Sequence, residues 1–394
     1  MSSSLNSFFP LLLAVVTMTV TMTWAYSSSA STGTGFNILS SVTRTSYPQV
    51  IGHAGASGYV PESSLPGYDM AANMLADYSE PDLVLTKDKY FIAMHDLTLE
   101  GTTNVLDFPN FKDRVSTFVI EGKAITGYYA INFTLSEIKT LRLRQRFGEG
   151  SDQRSSQYDW LFAPPTLQDI ISWQISHYNA TGRLVGIYPE LKHPDWYNEM
   201  GYKMEDLLIE QLLAAGYHAK KGDSSTPRDL SAVVPVAIQC FKSPNLRYLS
   251  SITDIPLVQL IGTSSEYPTP DSVWSQAILD TISEYALAVG PDKKIFSTDW
   301  NTSVPRAIEM MSWANERNLF VVPWSFQTEA HYIALQFGGD ARKELSFYYG
   351  CLQVAGVFHE FPDRAREVVD ECIAASSSSS VKPSCPSLCP YDIF

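Results

Sequence analysis

Short apolar runs alternate with longer amphipathic segments over about 320 residues of this chain. Most of the runs are continuously apolar, which is typical of parallel strands that are buried on both faces. The segments between them predict helices, for example over 166–178 behind a threonine cap, over 204–215 ahead of Gly216, and over 304–317. The apolar runs span residues 49–52, 78–86, 91–95, 184–191, 233–241, 256–262, 286–290, 320–326 and 356–361.

This alternation predicts an α/β fold. About eight strands separated by helices favour a closed TIM (β/α)8 barrel over an open doubly wound sheet. A dinucleotide-binding fold is disfavoured, because no Gly-x-Gly-x-x-Gly motif follows an early strand. In a TIM barrel the catalytic groups stand at the carboxyl ends of the strands. Polar residues at the ends of the apolar runs are therefore the candidate site residues.

Both ends of the chain differ in composition from the middle. Residues 1–25 predict a secretory signal peptide with cleavage near 25–30, because their unbroken apolar stretch is shorter than the ~20 residues that span a bilayer. An uncleaved signal anchor is the alternative. Residues 26–47 predict a flexible leader, and residues 373–394 form a tail rich in Ser, Pro and Cys. We expect a secreted or vacuolar protein that has no stable membrane span after signal cleavage.

Composition agrees with a secreted globular protein. The 394 residues carry a formal net charge of −14, which argues against a nucleic-acid partner. Three glycosylation sequons begin at Asn132, Asn179 and Asn301. Four of the five cysteines fall in the last 44 residues, which predicts one or two disulfides there and leaves Cys240 as a buried thiol.

Carboxylates cluster at the predicted strand ends. Glu80 and Asp82 are two residues apart on one strand, so their side chains share a face. Neighbouring carboxylates repel each other unless a cation lies between them. With Glu190 from a strand across the barrel, three oxygen ligands and no cysteine favour Mg²⁺ or Ca²⁺ over Zn²⁺. The alternative is that these carboxylates cap helices or pair with Arg and Lys.

Two histidines flank this acidic group in the sequence. His53 and His95 each stand at the end of an apolar run, where imidazole is suited to general acid and general base catalysis near neutral pH. The other five histidines lack this context and are interpreted as structural, although His359 also follows a late strand. Lys192 stands two residues beyond Glu190, at the same strand end.

Six segments of the chain, taken in order, resemble the glycerophosphodiester phosphodiesterase family: 53–62 (HAGASGYVPE), 76–84 (ADYSEPDLV), 94–96 (MHD), 188–192 (YPELK), 236–241 (VAIQCF) and 358–363 (FHEFPD). The resemblance implies a TIM-barrel domain over residues 48–372, with a small insertion after the third strand at about 98–140. It also implies metal-dependent hydrolysis of small glycerophosphodiesters to sn-glycerol 3-phosphate and an alcohol. By matched position, His53 and His95 would be the acid/base pair, and Glu80, Asp82 and Glu190 would hold the metal. Lys192, Glu62 and Lys242 would bind the substrate or its phosphate.

The chain departs from the family pattern at three places. Ala54 replaces the arginine of the His-Arg-Gly motif, Gln327 stands where an arginine is common, and Lys242 stands where an acid is usual. Losing a charged phosphate contact costs ~1.5–3 kcal/mol, so Ala54 predicts a weakened or re-specialised enzyme. Two alternatives remain open: a secreted binding or wall-associated protein that has lost the chemistry, and a lysophospholipase D-like enzyme.

Overall fold

Parallel strands form a closed barrel in the computed structural model, which describes residues 48–146, 154–217, 220–222, 235–262, 270–376 and Cys389. The predicted signal peptide, the leader and most of the C-terminal tail lie outside these residues. The strands are β1 (Gln49–His53), β2 (Tyr78–Glu80), β3 (Asp82–Leu85), β4 (Phe91–Ala93), β5 (Ser116–Ile120), β6 (Lys123–Gly127), β7 (Gly186–Ile187), β8 (Glu190–Leu191), β9 (Ile238–Cys240), β10 (Leu257–Ile261), β11 (Ala288–Pro291), β12 (Phe320–Val321) and β13 (Gly356–His359).

Helices connect the strands on the outside of the barrel. They are α1 (Leu65–Asn73), α2 (Leu135–Ile138), α3 (Leu167–Thr181), α4 (Pro194–Glu199), α5 (Met204–Ala215), α6 (Ser243–Ile252), α7 (Pro270–Val273), α8 (Gln276–Ser283), α9 (Val304–Glu316), α10 (Ala341–Ser346) and α11 (Pro362–Ser376). The caps follow the sequence: Thr166 forms a capping box at the start of α3, and Gly216 ends α5 in the left-handed region, with φ 102°. No helix in the described ranges is long and apolar enough to cross a membrane.

Eight strand positions close the barrel in the described residues. The hydrogen-bonded orders are β13-β1-β2-β7 and β12-β11-β10-β9-β8-β3. Pro81 separates β2 from β3, and Pro189 separates β7 from β8, so each pair forms one interrupted barrel strand. A parallel bridge between Phe326 and His359 joins the chain after β12 to β13. The predicted TIM-barrel fold is confirmed.

The barrel interior contains one apolar residue from each strand position. This layer consists of Ile51, Tyr78, Tyr188, Ala237, Val258, Ala288, Val322 and Phe358, all of which are buried. A larger apolar cluster fills the space between the strands and the helices. The interior layer is a packed core, so the polar residues that follow it on each strand lie at the carboxyl end of the barrel.

The third apolar run is not a barrel strand. β4 pairs antiparallel with β3, with Val84 opposite Ile92, and so forms a hairpin at the edge of the sheet. The run is short and fully apolar, and such a pattern does not reveal strand direction. The segment 98–140 follows β4 and holds the antiparallel hairpin β5–β6 and the short helix α2.

The cysteines behave as the sequence predicts. Cys351 and Cys389 form a disulfide that ties the tail to the barrel, and Cys372 is also disulfide-bonded. Cys240 is free and buried at the end of β9. Its thiol contacts the Leu191 carbonyl oxygen at 3.5 Å, and burial raises its pKa, so it is an inert core group.

Candidate active site

Three buried carboxylates meet at the carboxyl end of the barrel. Glu80 ends β2, Asp82 begins β3, and Glu190 begins β8 directly opposite Asp82 in the parallel register. One oxygen from each side chain lies within 4.8 Å of the others. Burial and the charge of Asp82 raise the pKa of Glu80 well above its usual value. The strand positions thus place together the three acids that the sequence predicted as metal ligands.

This cluster has the character of a cation site. Its donor atoms are all carboxylate oxygens, which suits a hard divalent ion such as Mg²⁺ or Ca²⁺. Asp82 Oδ2 is buried and makes no hydrogen bond within the described residues. A buried carboxylate oxygen without a partner is costly unless a cation compensates it. The residues present therefore fit a divalent metal.

Lys192 lies against the same carboxylates. Its Nζ is 2.8 Å from Glu190 Oε1 and 3.4 Å from Asp82 Oδ1, and the side chain is buried. Burial opposes a charged lysine, but these carboxylates outweigh it and raise the pKa of Lys192. The Lys192 ammonium also lowers the pKa of Asp82 against the effect of burial. Lys192 is thus an internal counter-ion of the cluster, and its contact to phosphate stays a prediction.

His53 ends β1 and stands opposite Glu80 in the neighbouring strand. Its Nδ1 lies 3.4 Å from Oε1 of Glu360, the residue that follows β13. Burial disfavours the imidazolium, but Glu360 and then Glu80 outweigh it and raise the pKa of His53 to about 9. His53 is therefore held between the carboxylate cluster and a second buried carboxylate, and both favour its imidazolium form.

His95 follows β4 and is oriented by a chain of charges. Its Nδ1 is 2.7 Å from Asp96 Oδ1, and Asp96 Oδ2 accepts a 2.8 Å hydrogen bond from Arg146. Arg146 also donates two 2.6 Å hydrogen bonds to Glu62. Glu62 thus binds Arg146, and its contact to the substrate stays a prediction. Met94, the residue before His95, donates its N–H to the Asp82 carbonyl oxygen at 2.9 Å, and His53 stands opposite Glu80, so both histidines lie next to the cluster.

Two of the three positions that depart from the family pattern, Ala54 and Lys242, make definite contacts. The backbone N–H of Ala54 donates to Glu80 Oε2 at 2.9 Å, with Ala54 in the left-handed region at φ 48°. Lys242 Nζ lies 2.7 Å from Glu121 and 3.2 Å from Asp195. Two carboxylates thus lie next to Lys242, but these pairs are more exposed than those of Lys192, and the contact of Lys242 to phosphate stays a prediction.

Several residues of the site were not foreseen. Gln239 on β9 donates to Glu80 Oε1 at 3.1 Å, and Glu360 pairs with Arg154 Nη1 at 2.5 Å. Gln239 and Glu360 both occupy strand-end positions, so the rule that located His53 could have found them. Arg146 and Arg154 lie in a connection that has no strand or helix pattern, and no local signal marks them.

The comparisons with known proteins agree with this geometry. The family model described as "Glycerophosphoryl diester phosphodiesterase family" matches residues 53–364. The glycerophosphodiester phosphodiesterase GDPD6 of Arabidopsis thaliana is 33% identical over 328 residues, covering 81% of this chain and 85% of the relative. A glycerophosphodiester phosphodiesterase of Haemophilus influenzae is 27% identical and covers 81% of this chain and 88% of its own length.

Two solved structures show the same fold. A glycerophosphoryl diester phosphodiesterase from Silicibacter pomeroyi superposes with a TM-score of 0.59 at 15% identity, over 84% of this chain and 97% of its own. An Oleispira antarctica phosphodiesterase, solved with the product sn-glycerol 3-phosphate, gives a TM-score of 0.53 at 17% identity, over 82% and 97%. With the match over residues 53–364, this chain belongs to the glycerophosphoryl diester phosphodiesterase family.

Proposed function

We propose that this protein hydrolyses glycerophosphodiesters to sn-glycerol 3-phosphate and an alcohol. The observation that carries the proposal is the buried group of Glu80, Asp82 and Glu190, flanked by His53 and His95 at the carboxyl end of the barrel. Family membership and the names of the relatives support the same reaction. Hydrolysis of a phosphodiester needs charge compensation and two proton transfers, and this group of residues offers both.

Glu80, Asp82 and Glu190 would hold one Mg²⁺ or Ca²⁺ ion. A bound divalent cation supplies Lewis-acid stabilisation of the charge on the phosphoryl oxygens. Ala54 N–H and Gln239 Nε2 each donate to Glu80 and fix its orientation. Lys192 balances part of the negative charge of the cluster.

The two histidines would move the protons. Glu360 lies next to Nδ1 of His53 and favours its imidazolium form, so we assign His53 as the acid that protonates the leaving alcohol through Nε2. Asp96 holds His95 through Nδ1, which leaves Nε2 of His95 to accept the proton of the attacking nucleophile. This nucleophile is either water or the 2-hydroxyl of the substrate's glycerol; in the second case the first product is a cyclic phosphate, which water then opens to sn-glycerol 3-phosphate.

The purified protein is expected to release sn-glycerol 3-phosphate from glycerophosphocholine in Mg²⁺ or Ca²⁺ and not in EDTA. The double variant His53→Ala/His95→Ala should lose at least about a hundredfold in kcat, because each general acid or base contributes about 10²–10⁴-fold. His177→Ala is the matched control, since His177 lies on the outer helix α3, and it should keep full activity.

A substrate panel separates the alternatives. If no glycerophosphodiester gives product above the double variant with either metal, and calorimetry detects no metal binding at millimolar concentration, the protein is a binding protein that kept the barrel. If only lysophosphatidylcholine is cleaved, the enzyme is a lysophospholipase D.

We also propose that the protein is secreted or vacuolar, and its glycosylation pattern tests this. Asn179 and Asn301 are exposed, whereas Asn132 is half-buried and its Nδ2 donates to Ser116 Oγ at 2.8 Å. A glycan on Asn132 Nδ2 would break this hydrogen bond. Peptide mapping of protein secreted by a eukaryotic host should find glycans at positions 179 and 301 and none at 132. An unglycosylated protein retained in the cytosol of that host would contradict the proposed location.

A further inference from the structure

Glu360 is a buried carboxylate that stands between His53 and a guanidinium from a distant loop. We propose that Arg154 is a positioning residue: through Glu360 it holds the His53 ring in the orientation that faces the carboxylate cluster. The role assigned to His53 rests on the proposed function, but the contacts that hold it do not.

The contacts form a continuous chain. Arg154 Nη1 lies 2.5 Å from Glu360 Oε2, and Glu360 Oε1 lies 3.4 Å from His53 Nδ1. Gln327, which follows β12, donates to the same Oε1 at 2.8 Å. Glu360 is thus held on both oxygens, by residues from two different loops. A carboxylate fixed in this way can fix the imidazole beside it.

Arg154 is placed for support and not for contact with the substrate. Its side chain is only 1% exposed, and its Nε is 2.7 Å from Glu329 Oε1. A guanidinium buried between two carboxylates cannot turn toward a phosphate without leaving buried charges unpaired. Its effect on the reaction must therefore pass through Glu360.

Arg154 supplies a positive charge at Glu360 that residue 327 does not. Gln327 contacts Glu360 with a neutral amide. Arg154 brings a guanidinium to the same carboxylate from the connection ahead of α3. Lys192 and Lys242 are not the cations that hold Glu360, because each is paired with two other carboxylates.

The test is a double-mutant cycle on the full chain, with glycerophosphocholine as substrate and saturating metal. Arg154→Gln and Glu360→Gln should each lower kcat about ten- to a hundredfold, as small errors in the placement of reacting groups do, and should change KM by less than about threefold. The double variant should be no worse than Glu360→Gln alone, because both changes break one chain of contacts. Additive losses, or a KM that rises in Arg154→Gln, would mean that Arg154 acts on the substrate itself and would overturn the proposal.

Glu329→Gln is the matched control, because it removes the other partner of Arg154 and leaves the Glu360 contact in place. It should keep kcat within about threefold of the wild type, since the contact of Arg154 to Glu360 remains. If Arg154→Gln does not fold, the kcat of Glu360→Gln is still compared with the kcat of the double variant Arg154→Gln/Glu360→Gln.

A spectroscopic readout separates this proposal from the proposed function. The imidazole nitrogen signals of His53, identified by their loss in His53→Ala, should move in Arg154→Gln and stay unchanged in Glu329→Gln. An inactive wild type with this response would sink the proposed function and keep the positioning role. Unmoved His53 signals in Arg154→Gln would overturn the positioning role whatever the activity.

Discussion

Lys192→Met is expected to lower the free energy of unfolding of the metal-free protein by about 3–5 kcal/mol, the usual cost of breaking a buried ion pair from one side. Lys192 is the cation between Glu190 and Asp82, and without it these buried carboxylates face each other unbalanced. Saturating Ca²⁺ should return most of the loss, because a bound divalent ion then balances the same charges. Denaturant unfolding at pH 7.5, in EDTA and in Ca²⁺, measures both effects.

Lys293→Met is the matched control. Lys293 is a similarly buried lysine, paired with Glu344 at 3.1 Å at a different place in the barrel. Lys293→Met should lower the free energy of unfolding by a comparable amount, and Ca²⁺ should not restore it. Equal recovery of the two variants in Ca²⁺, or a Lys192→Met protein as stable as the wild type in EDTA, would show that Lys192 does not balance a metal site.

His359→Asn is expected to reduce the loss of stability in mild acid. His359 is fully buried on β13, and its Nδ1 accepts a 2.9 Å hydrogen bond from the Phe361 N–H. Burial lowers the pKa of His359 to about 3. The unfolded chain takes up this proton near pH 6.5 and the folded chain does not, so stability falls as pH falls below 6.5 by about 1.4 kcal/mol per pH unit.

Asparagine at position 359 keeps an acceptor for the Phe361 N–H and has no proton to gain. Between pH 6.5 and 4.5 the wild type should therefore lose about 2–3 kcal/mol more than the variant, measured by urea unfolding at intervals of half a pH unit. His331→Asn, which changes an exposed histidine, should follow the wild type. Parallel pH profiles for wild type and His359→Asn would show that His359 takes up its proton in the folded state.

The barrel could be predicted because each of its strands carries its own signal. The apolar runs and the helix caps are local features. About eight strands that alternate with helices are compatible with few architectures. The direction of β4 could not be predicted, because an antiparallel edge strand and a buried parallel strand share the same short apolar pattern. Only the pairing of Val84 with Ile92 distinguishes them.

The candidate site also contains residues that could be predicted from the sequence and residues that could not. Glu80, Asp82 and Glu190 stand within or at the end of apolar runs, so their place at the carboxyl end of the barrel was predictable; the sequence placed Glu190 across the barrel, and the structure places it on the strand next to Asp82. The partner of His53 was not predictable, since Glu360 is more than 300 residues from His53 along the chain. Contacts between residues so far apart are set by the closure of the barrel and leave no spacing pattern in the sequence.

The left-handed backbone at Ala54 limits which residues fit this position. What residue 54 contributes to Glu80 is an amide proton, and every amino acid except proline carries one. The φ of 48° also selects against β-branched side chains, which are strained in the left-handed region. Changes among unbranched side chains at residue 54 can therefore alter substrate preference while the contact to Glu80 stays in place.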